Sequence, residues 1–160
     1  AVTHVDASKG MVAWARENAE KSGLGNAPIR WLVDDCQKFV AREIRRGSRY
    51  RGIIMDPPSY GRGPGGEIWK LEEAIWPLLE QTVQLLADDA LFFAVNSYTT
   101  GLAPAVMGYM LGRLLPGEKT GGHVRSAEIG LPVSATGGVL PCGATSVWLG
   151  PGVAAGEWLV

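Results

Sequence analysis

A chain of 160 residues, 46% of them hydrophobic, can bury one core and is too short for two ordinary domains. Its formal charge of −1 does not by itself mark a nucleic-acid binder, and no apolar run is long enough to cross a bilayer. The two cysteines, Cys36 and Cys142, and the two histidines, His4 and His123, stand apart with no metal-ligand spacing, so no metal is expected.

The chain opens within an apolar strand, Ala1–Val5, that stops at Asp6. Ser8 is placed to cap a helix reaching about Ser22, with Met11, Val12, Ala15 and Ala19 as its apolar stripe and Gly23 and Gly25 beyond its end. Ile29–Val33 is the next strand and ends at Asp34-Asp35. A second helix covers about Cys36–Arg46, with Phe39, Val40 and Ile44 inward and Gly47 as its stop. Eleven of the fifteen Lys and Arg fall within residues 9–62, and Arg42, Arg45, Arg46, Arg49 and Arg51 crowd the end of this helix. That run is either a surface for an anionic partner or a solvated helix end whose cations complement its dipole.

Gly52–Met55 is a compact apolar strand that breaks at Asp56-Pro57-Pro58, since neither proline can donate to a sheet ladder. Ser59–Gly66 has the composition of a mobile loop. A long helix is expected over about Trp69–Leu86, then a strand Ala90–Val95 ending at Asn96-Ser97-Tyr98, then a helix Ala103–Leu115 with Pro104 in its first turn. Gly117–Gly122 reads as loop, His123–Val133 and Ala144–Leu149 as two antiparallel strands, and residues 134–143 as their Gly-rich connection. The six Trp (14, 31, 69, 76, 148 and 158) read as core or half-buried packing, with Trp69 and Trp76 sharing one helix face. Both cysteines read as plain buried thiols of a reducing, cytoplasmic setting.

Strand–helix alternation closed by a hairpin defines an α/β fold with a mostly parallel sheet in a single domain. Ligands of such sheets sit at the carboxyl ends of the strands, which directs attention to Asp6, Asp34-Asp35, Asp56 and Asn96-Ser97. A carboxylate at the position of Asp6 can accept both hydroxyls of a ribose, or simply cap the next helix. Asp34 or Asp35 can accept from an exocyclic amine or cap the helix beginning at Cys36. The two prolines after Asp56 stiffen the chain just past a strand, and Tyr60 can stack on a planar base drawn out of its helix.

Three segments, VDAS at Val5–Ser8, DDC at Asp34–Cys36 and DPPSYGRG at Asp56–Gly63, resemble consecutive motifs of class I S-adenosylmethionine (SAM) dependent methyltransferases. The nearest likeness is to the bacterial group related to 23S rRNA cytosine-C5 methyltransferases, and it runs well over residues 1 to about 100. The resemblance implies a Rossmann-like sheet with a C-terminal antiparallel hairpin and SAM as cofactor. It implies that Asp6 with Ala7 holds the ribose and Asp35 with Cys36 lies by the adenine. Asp56, Pro57, Pro58 and Tyr60 would line the acceptor side, Asp56 beside the transferable methyl, and the acceptor would be an RNA base.

Two features depart from that family. Its Gly-rich turn follows a first strand that would precede Asp6 and is lacking here, which would leave a gap in the sheet, or one filled by a homo-oligomer. Carbon-5 transfer to cytosine also needs a thiolate, which in the family follows the strand that here ends at Asn96-Ser97-Tyr98. Transfer to nitrogen or oxygen needs no such adduct. The alternatives kept beside RNA-base methylation are a non-catalytic binding module on a degenerate methyltransferase fold, methylation of a protein or small molecule, and a nicotinamide oxidoreductase, which would share Asp6 but gives no reason for Asp-Pro-Pro.

Overall fold

The computed structural model describes residues 1–62, 66–99 and 101–153. They divide into two compact units, Ala1–Ser48 and Arg49–Val160, each described here by itself. Trp158 and residues 63–65 of the GPGG stretch, read above as packing and loop, lie outside the described residues.

The first unit is β1 (Val2–Asp6), α1 (Lys9–Lys21), β2 (Ile29–Val33) and α2 (Cys36–Arg46). The strands pair in parallel, from Val2 opposite Ile29 to Asp6 opposite Val33, so both carboxyl ends fall on one edge. Ser8 caps α1, its Oγ accepting the Met11 N–H at 3.3 Å, and Gly47 ends α2 in the left-handed region at φ 68°. The buried side chains are Val12, Phe39, Val40 and the carboxylate-bearing Glu43. Two residues expected inside α1 are not: Met11 is 46% and Trp14 58% exposed. At about 100° per residue Met11 lies a quarter-turn from Val12 and Trp14 on the far side of the helix, and a two-stranded sheet offers too narrow a face to cover both.

The second unit begins with β3 (Gly52–Met55), β4 (Tyr60–Arg62), β5 (Ile68–Lys70) and α3 (Leu71–Thr82). After α3 tightens into a 3₁₀ turn at Val83–Leu85 come β6 (Phe92–Ser97), α4 (Pro104–Leu114), a single turn α5 (Gly117–Thr120), β7 (His123–Val133) and β8 (Gly138–Leu149). Its sheet has the order β3-β6-β8-β7, with β3 and β6 parallel and the rest antiparallel. Among the described residues β1 and β3 each have a hydrogen-bonded neighbour on one side only. The core is built by Leu71, Ile75 and Leu79 of α3, Phe93 and Val95 of β6, Met107 and Leu111 of α4, and Trp148 of β8.

The sequence misjudged several boundaries, among them the strand expected at Ala90–Val95, which is Phe92–Ser97, and the helix expected to reach Leu86, which ends at Thr82. Tyr60–Arg62 is not loop: it pairs with Ile68–Lys70, which delays the helix from Trp69 to Leu71. Trp69 therefore sits on a strand and Trp76 on a helix, where it is 38% exposed, and the two share no helix face. The long connection at 134–143 contracts to 134–137, because the Val133 carbonyl accepts from both Thr136 and Gly137 and Gly137 takes φ 69° to turn the chain. The stretch read as loop at Gly117–Gly122 contains the turn of α5.

Candidate active site

In the first unit the carboxyl edge of the parallel pair collects the expected residues. Asp6 is half-buried at the end of β1, and its Oδ1 accepts the Ser8 N–H at 2.6 Å. The Asp34 N–H donates to the Asp6 carbonyl at 3.1 Å, which brings the Asp34-Asp35-Cys36 turn to the same edge. The two aspartates there have different duties. Asp34 is paired with the Arg42 guanidinium, which holds its carboxyl below the usual carboxylate range. Asp35 is exposed and caps α2, accepting the Lys38 N–H at 2.9 Å. Ala7 is exposed beside Asp6. Cys36 is exposed as a residue, yet its Sγ turns back to the Val5 carbonyl at 3.8 Å. Burial of that sulfur, and then the charges of Asp6, Asp35 and Asp34, push the thiol up, so it stands as a neutral group. The half-exposed Asp6 carboxylate and the exposed Asp35 carboxylate, on one edge, are acceptors of the kind that ribose hydroxyls and an adenine amine require. These acceptors thus fit the hydroxyls and amine of SAM.

In the second unit Asp56 follows β3. Because Met55 is opposite Val95 in a parallel pair, Asp56 and Asn96-Ser97-Tyr98 close neighbouring strands at the same edge. Asp56 is exposed as a residue, and partial desolvation of its carboxyl raises it. The residues after it are tied down at three points. The Trp69 Nε1–H donates to the Pro58 carbonyl at 2.7 Å, the Leu71 N–H to the Ser59 carbonyl at 3.0 Å, and the Thr99 Oγ1–H to Ser59 Oγ at 2.7 Å. Pro57 is half-buried, Pro58 exposed, and Tyr60 51% exposed on β4 with its hydroxyl accepting from Arg62 Nε. The start of the segment read as mobile, Ser59–Arg62, is thus tied down, with an open aromatic at Tyr60.

Beside this edge lies a cleft of about 480 Å³ that the sequence did not reveal. Tyr98, Thr99, Glu128, Cys142 and Gly143 contribute to its wall. The β7–β8 ladder steps from Ile129–Gly143 to Gly130–Pro141, leaving Cys142 unopposed in a bulge. Cys142 is consequently half-buried and lines the cleft, its Sγ 3.4 Å from the Ile129 carbonyl, where the sequence suggested a plain buried thiol. A bulge depends on the partner strand and leaves no local pattern. Tyr98 did leave a signal, an aromatic directly after a strand-ending Asn-Ser. Three of the five arginines in the run are held in ion pairs: Arg42 with Asp34, Arg46 with Glu43 and Arg51 with Asp89. Those pairs favour the solvated helix end over an anion-binding surface. Among the described residues no cluster of metal-ligating groups exists, and no helix is long and apolar enough to cross a membrane.

No protein-family model matches the sequence. A SAM-dependent methyltransferase from Agrobacterium tumefaciens is 36% identical with a TM-score of 0.83, covering 93% of this chain and 48% of that one. The ribosomal RNA large subunit methyltransferase K of Neisseria meningitidis serogroup B is 27% identical over 94 residues, 58% of this chain and 27% of that protein. The ribosomal RNA large subunit methyltransferase I of Klebsiella pneumoniae is 34% identical over 59 residues, 37% of this chain and 15% of that protein. The chain therefore spans about a quarter or less of the curated relatives it matches and about half of the solved structure. The chain is similar to a solved SAM-dependent methyltransferase and shares its Rossmann-like α/β fold. In sequence it is also similar to ribosomal RNA large subunit methyltransferases.

Proposed function

We propose that this chain belongs to an enzyme that transfers a methyl group from SAM to a base of RNA, with rRNA as the favoured acceptor. The observation that carries the reading is the pinned Asp56-Pro57-Pro58-Ser59-Tyr60 strap, which carries a carboxylate just past β3 and an exposed tyrosine at the start of β4. The cytoplasmic location expected from the sequence accords with an rRNA acceptor.

Asp6 and Ala7 would hold the ribose of SAM and Asp35 the adenine, with the Cys36 thiol as a neutral neighbour; bound SAM supplies an electrophilic methyl. The work left to the protein is placement and proton handling. Tyr60 offers a face on which a base drawn out of its helix can stack, worth about 1–3 kcal/mol per base. Asp56, whose partial burial favours the protonated form, is suited to orient an N–H or O–H and to take its proton as the methyl arrives. Nitrogen is the favoured acceptor atom, because the position after Asn96-Ser97 is a tyrosine and the thiol that lines the cleft, Cys142, is directed to the Ile129 carbonyl.

Calorimetric titration of the chain with SAM and, in parallel, NADH tests the cofactor, with Asp6→Ala expected to abolish the SAM signal. Tritium transfer from labelled SAM to an unmodified large-subunit rRNA transcript then tests the acceptor. NADH binding without SAM binding would establish the oxidoreductase alternative. SAM binding with no transfer to rRNA, protein or small acceptors would establish the non-catalytic module.

A further inference from the structure

Tyr98 has an unusual seat. It stands beside Gly143 on the adjacent strand, one step beyond the Ser97–Ala144 pair. A Cβ on Gly143 would come within 2.6 Å of Tyr98 Cδ1 and 2.9 Å of both Cε1 and the Ser97 carbonyl. The tyrosine ring therefore lies against bare backbone, and only glycine leaves it that room. Although 53% exposed, the ring is thus held against the Gly143 backbone, and both residues line the cleft. Three features meet around it. The Asp56 carboxylate is close enough to raise the Tyr98 phenol, ahead of partial burial and Cys142. Thr99, the next residue, anchors Ser59 of the strap. The cleft beside it, about 480 Å³, falls in the range of small-ligand pockets, roughly 300–1,000 Å³.

We propose that Tyr98, seated on Gly143 beside Asp56, is a positioning and specificity residue for the acceptor: it walls the cleft against a planar nucleobase and donates its phenol hydrogen to an acceptor atom on that base's edge. The inference rests on the base-methylation reading and deepens it. The raised phenol stays protonated at neutral pH and so donates, while the Asp56 carboxylate accepts. An acceptor and a donor N–H adjacent on one ring edge, as in an aminopyrimidine or aminopurine, satisfies both groups. An apolar ring would leave the carboxylate unpaired, at the cost of a desolvated charge.

The four tyrosines, Tyr50, Tyr60, Tyr98 and Tyr109, all lie outside the first unit. Fluorine NMR of the full chain labelled with 3-fluorotyrosine therefore reports on the second unit alone. Resonances would be assigned by single Tyr→Phe variants, and the probes are cytidine and adenosine 5′-monophosphates, with ribose 5-phosphate as the base-free control. Tyr98 is expected to shift with both nucleotides and not with the control, while Tyr109, 69% exposed on α4, stays still and excludes random stacking. A shift at Tyr60 with none at Tyr98 overturns the inference and leaves the base-methylation reading standing. No shift at either overturns both.

Tyr98→Phe, read at Tyr60, should weaken nucleotide binding roughly three- to tenfold, the loss of one hydrogen bond. It should raise KM for the rRNA transcript more than it lowers kcat, with the melting temperature and SAM affinity unchanged. Gly143→Ala should displace the Tyr98 resonance before any ligand is added. Unchanged binding in Tyr98→Phe would remove the hydrogen-bonding role.

Discussion

The indole nitrogen of Trp69 donates to the Pro58 carbonyl across 2.7 Å, joining the strap after Asp56 to the hairpin that precedes α3. Proline 58 cannot donate through its own nitrogen, so its carbonyl is the backbone group through which that residue can be held. The adjacent residue is held twice more, at its carbonyl by Leu71 and at its hydroxyl by Thr99. Rigidity in the strap is therefore imposed from β5, α3 and the end of β6, with the prolines restricting the chain between those fixings.

Removal of one fixing is readily measured. Trp69→Phe keeps an aromatic against the core and deletes the donor, so stability should fall by about 0.5–1.5 kcal/mol for the hydrogen bond, plus the loss from a smaller ring. Methyl transfer should fall further than stability does, because the segment carrying Asp56 and Tyr60 would be less well placed. Urea denaturation and initial rates on the same variant decide this. A loss of stability with full activity would show the strap to be structural alone.

The pair Asp34–Arg42 gives a pH dependence with a definite sign. Its hydrogen bond and charge hold the Asp34 carboxyl below the ordinary value of about 3.9. A lowered folded-state value means that the pair's stabilisation is complete above about pH 5 and is lost as pH falls through 4 and below. The pair is about one-third exposed, so its worth is roughly 0–1 kcal/mol. Arg42→Met should flatten the fall in stability between pH 5 and pH 3, followed by circular dichroism; an unchanged slope would mean that the pair does not persist in solution.

Much of this was legible in the sequence, and the failures are instructive. The strand-end positions of Asp6, Asp35 and Asp56 could be found because strand ends are marked locally by Asp, Pro and Gly. The caps Ser8 and Gly47 were legible for the same reason. What escaped depends on residues distant in the chain. The pairing of Tyr60–Arg62 with Ile68–Lys70 turned apparent loop and helix start into a hairpin. The bulge at Cys142 is fixed by β7, and the seat of Tyr98 by a glycine 45 positions away in the numbering. Trp14 shows the remaining limit: hydrophobicity proposes burial, but a helix on two strands has little to bury it against.

Cys36 should react slowly with iodoacetamide at neutral pH although the residue is exposed, since burial of its sulfur and three nearby carboxylates disfavour the thiolate. Asp6→Asn removes the charge with the largest effect after burial and should speed alkylation several-fold at pH 8, measured by mass spectrometry at Cys36 with Cys142 as the internal reference. An equal rate in both forms would place Asp6 too far away to act on the thiol.

Asp56→Asn separates stability from function. Burial raises the Asp56 carboxyl, so the folded state binds that proton more tightly than the unfolded chain, and above the folded-state value it carries a charge that costs stability. A neutral amide of the same shape removes the cost. The melting temperature of Asp56→Asn should therefore exceed that of the parent at pH 7, and the difference should vanish as pH falls below about 4, where both forms are neutral. Methyl transfer should drop by about a hundredfold or more if Asp56 takes the proton. Tyr98 supplies an independent reading, because the Asp56 charge is the first cause of its raised phenol, and ultraviolet titration should show one tyrosine ionising at lower pH in the variant. A more stable, inactive protein with an unmoved tyrosine would keep Asp56 as a functional carboxylate and detach Tyr98 from it, whereas a moved tyrosine with full activity would assign the carboxylate to positioning Tyr98 and take proton transfer away from it.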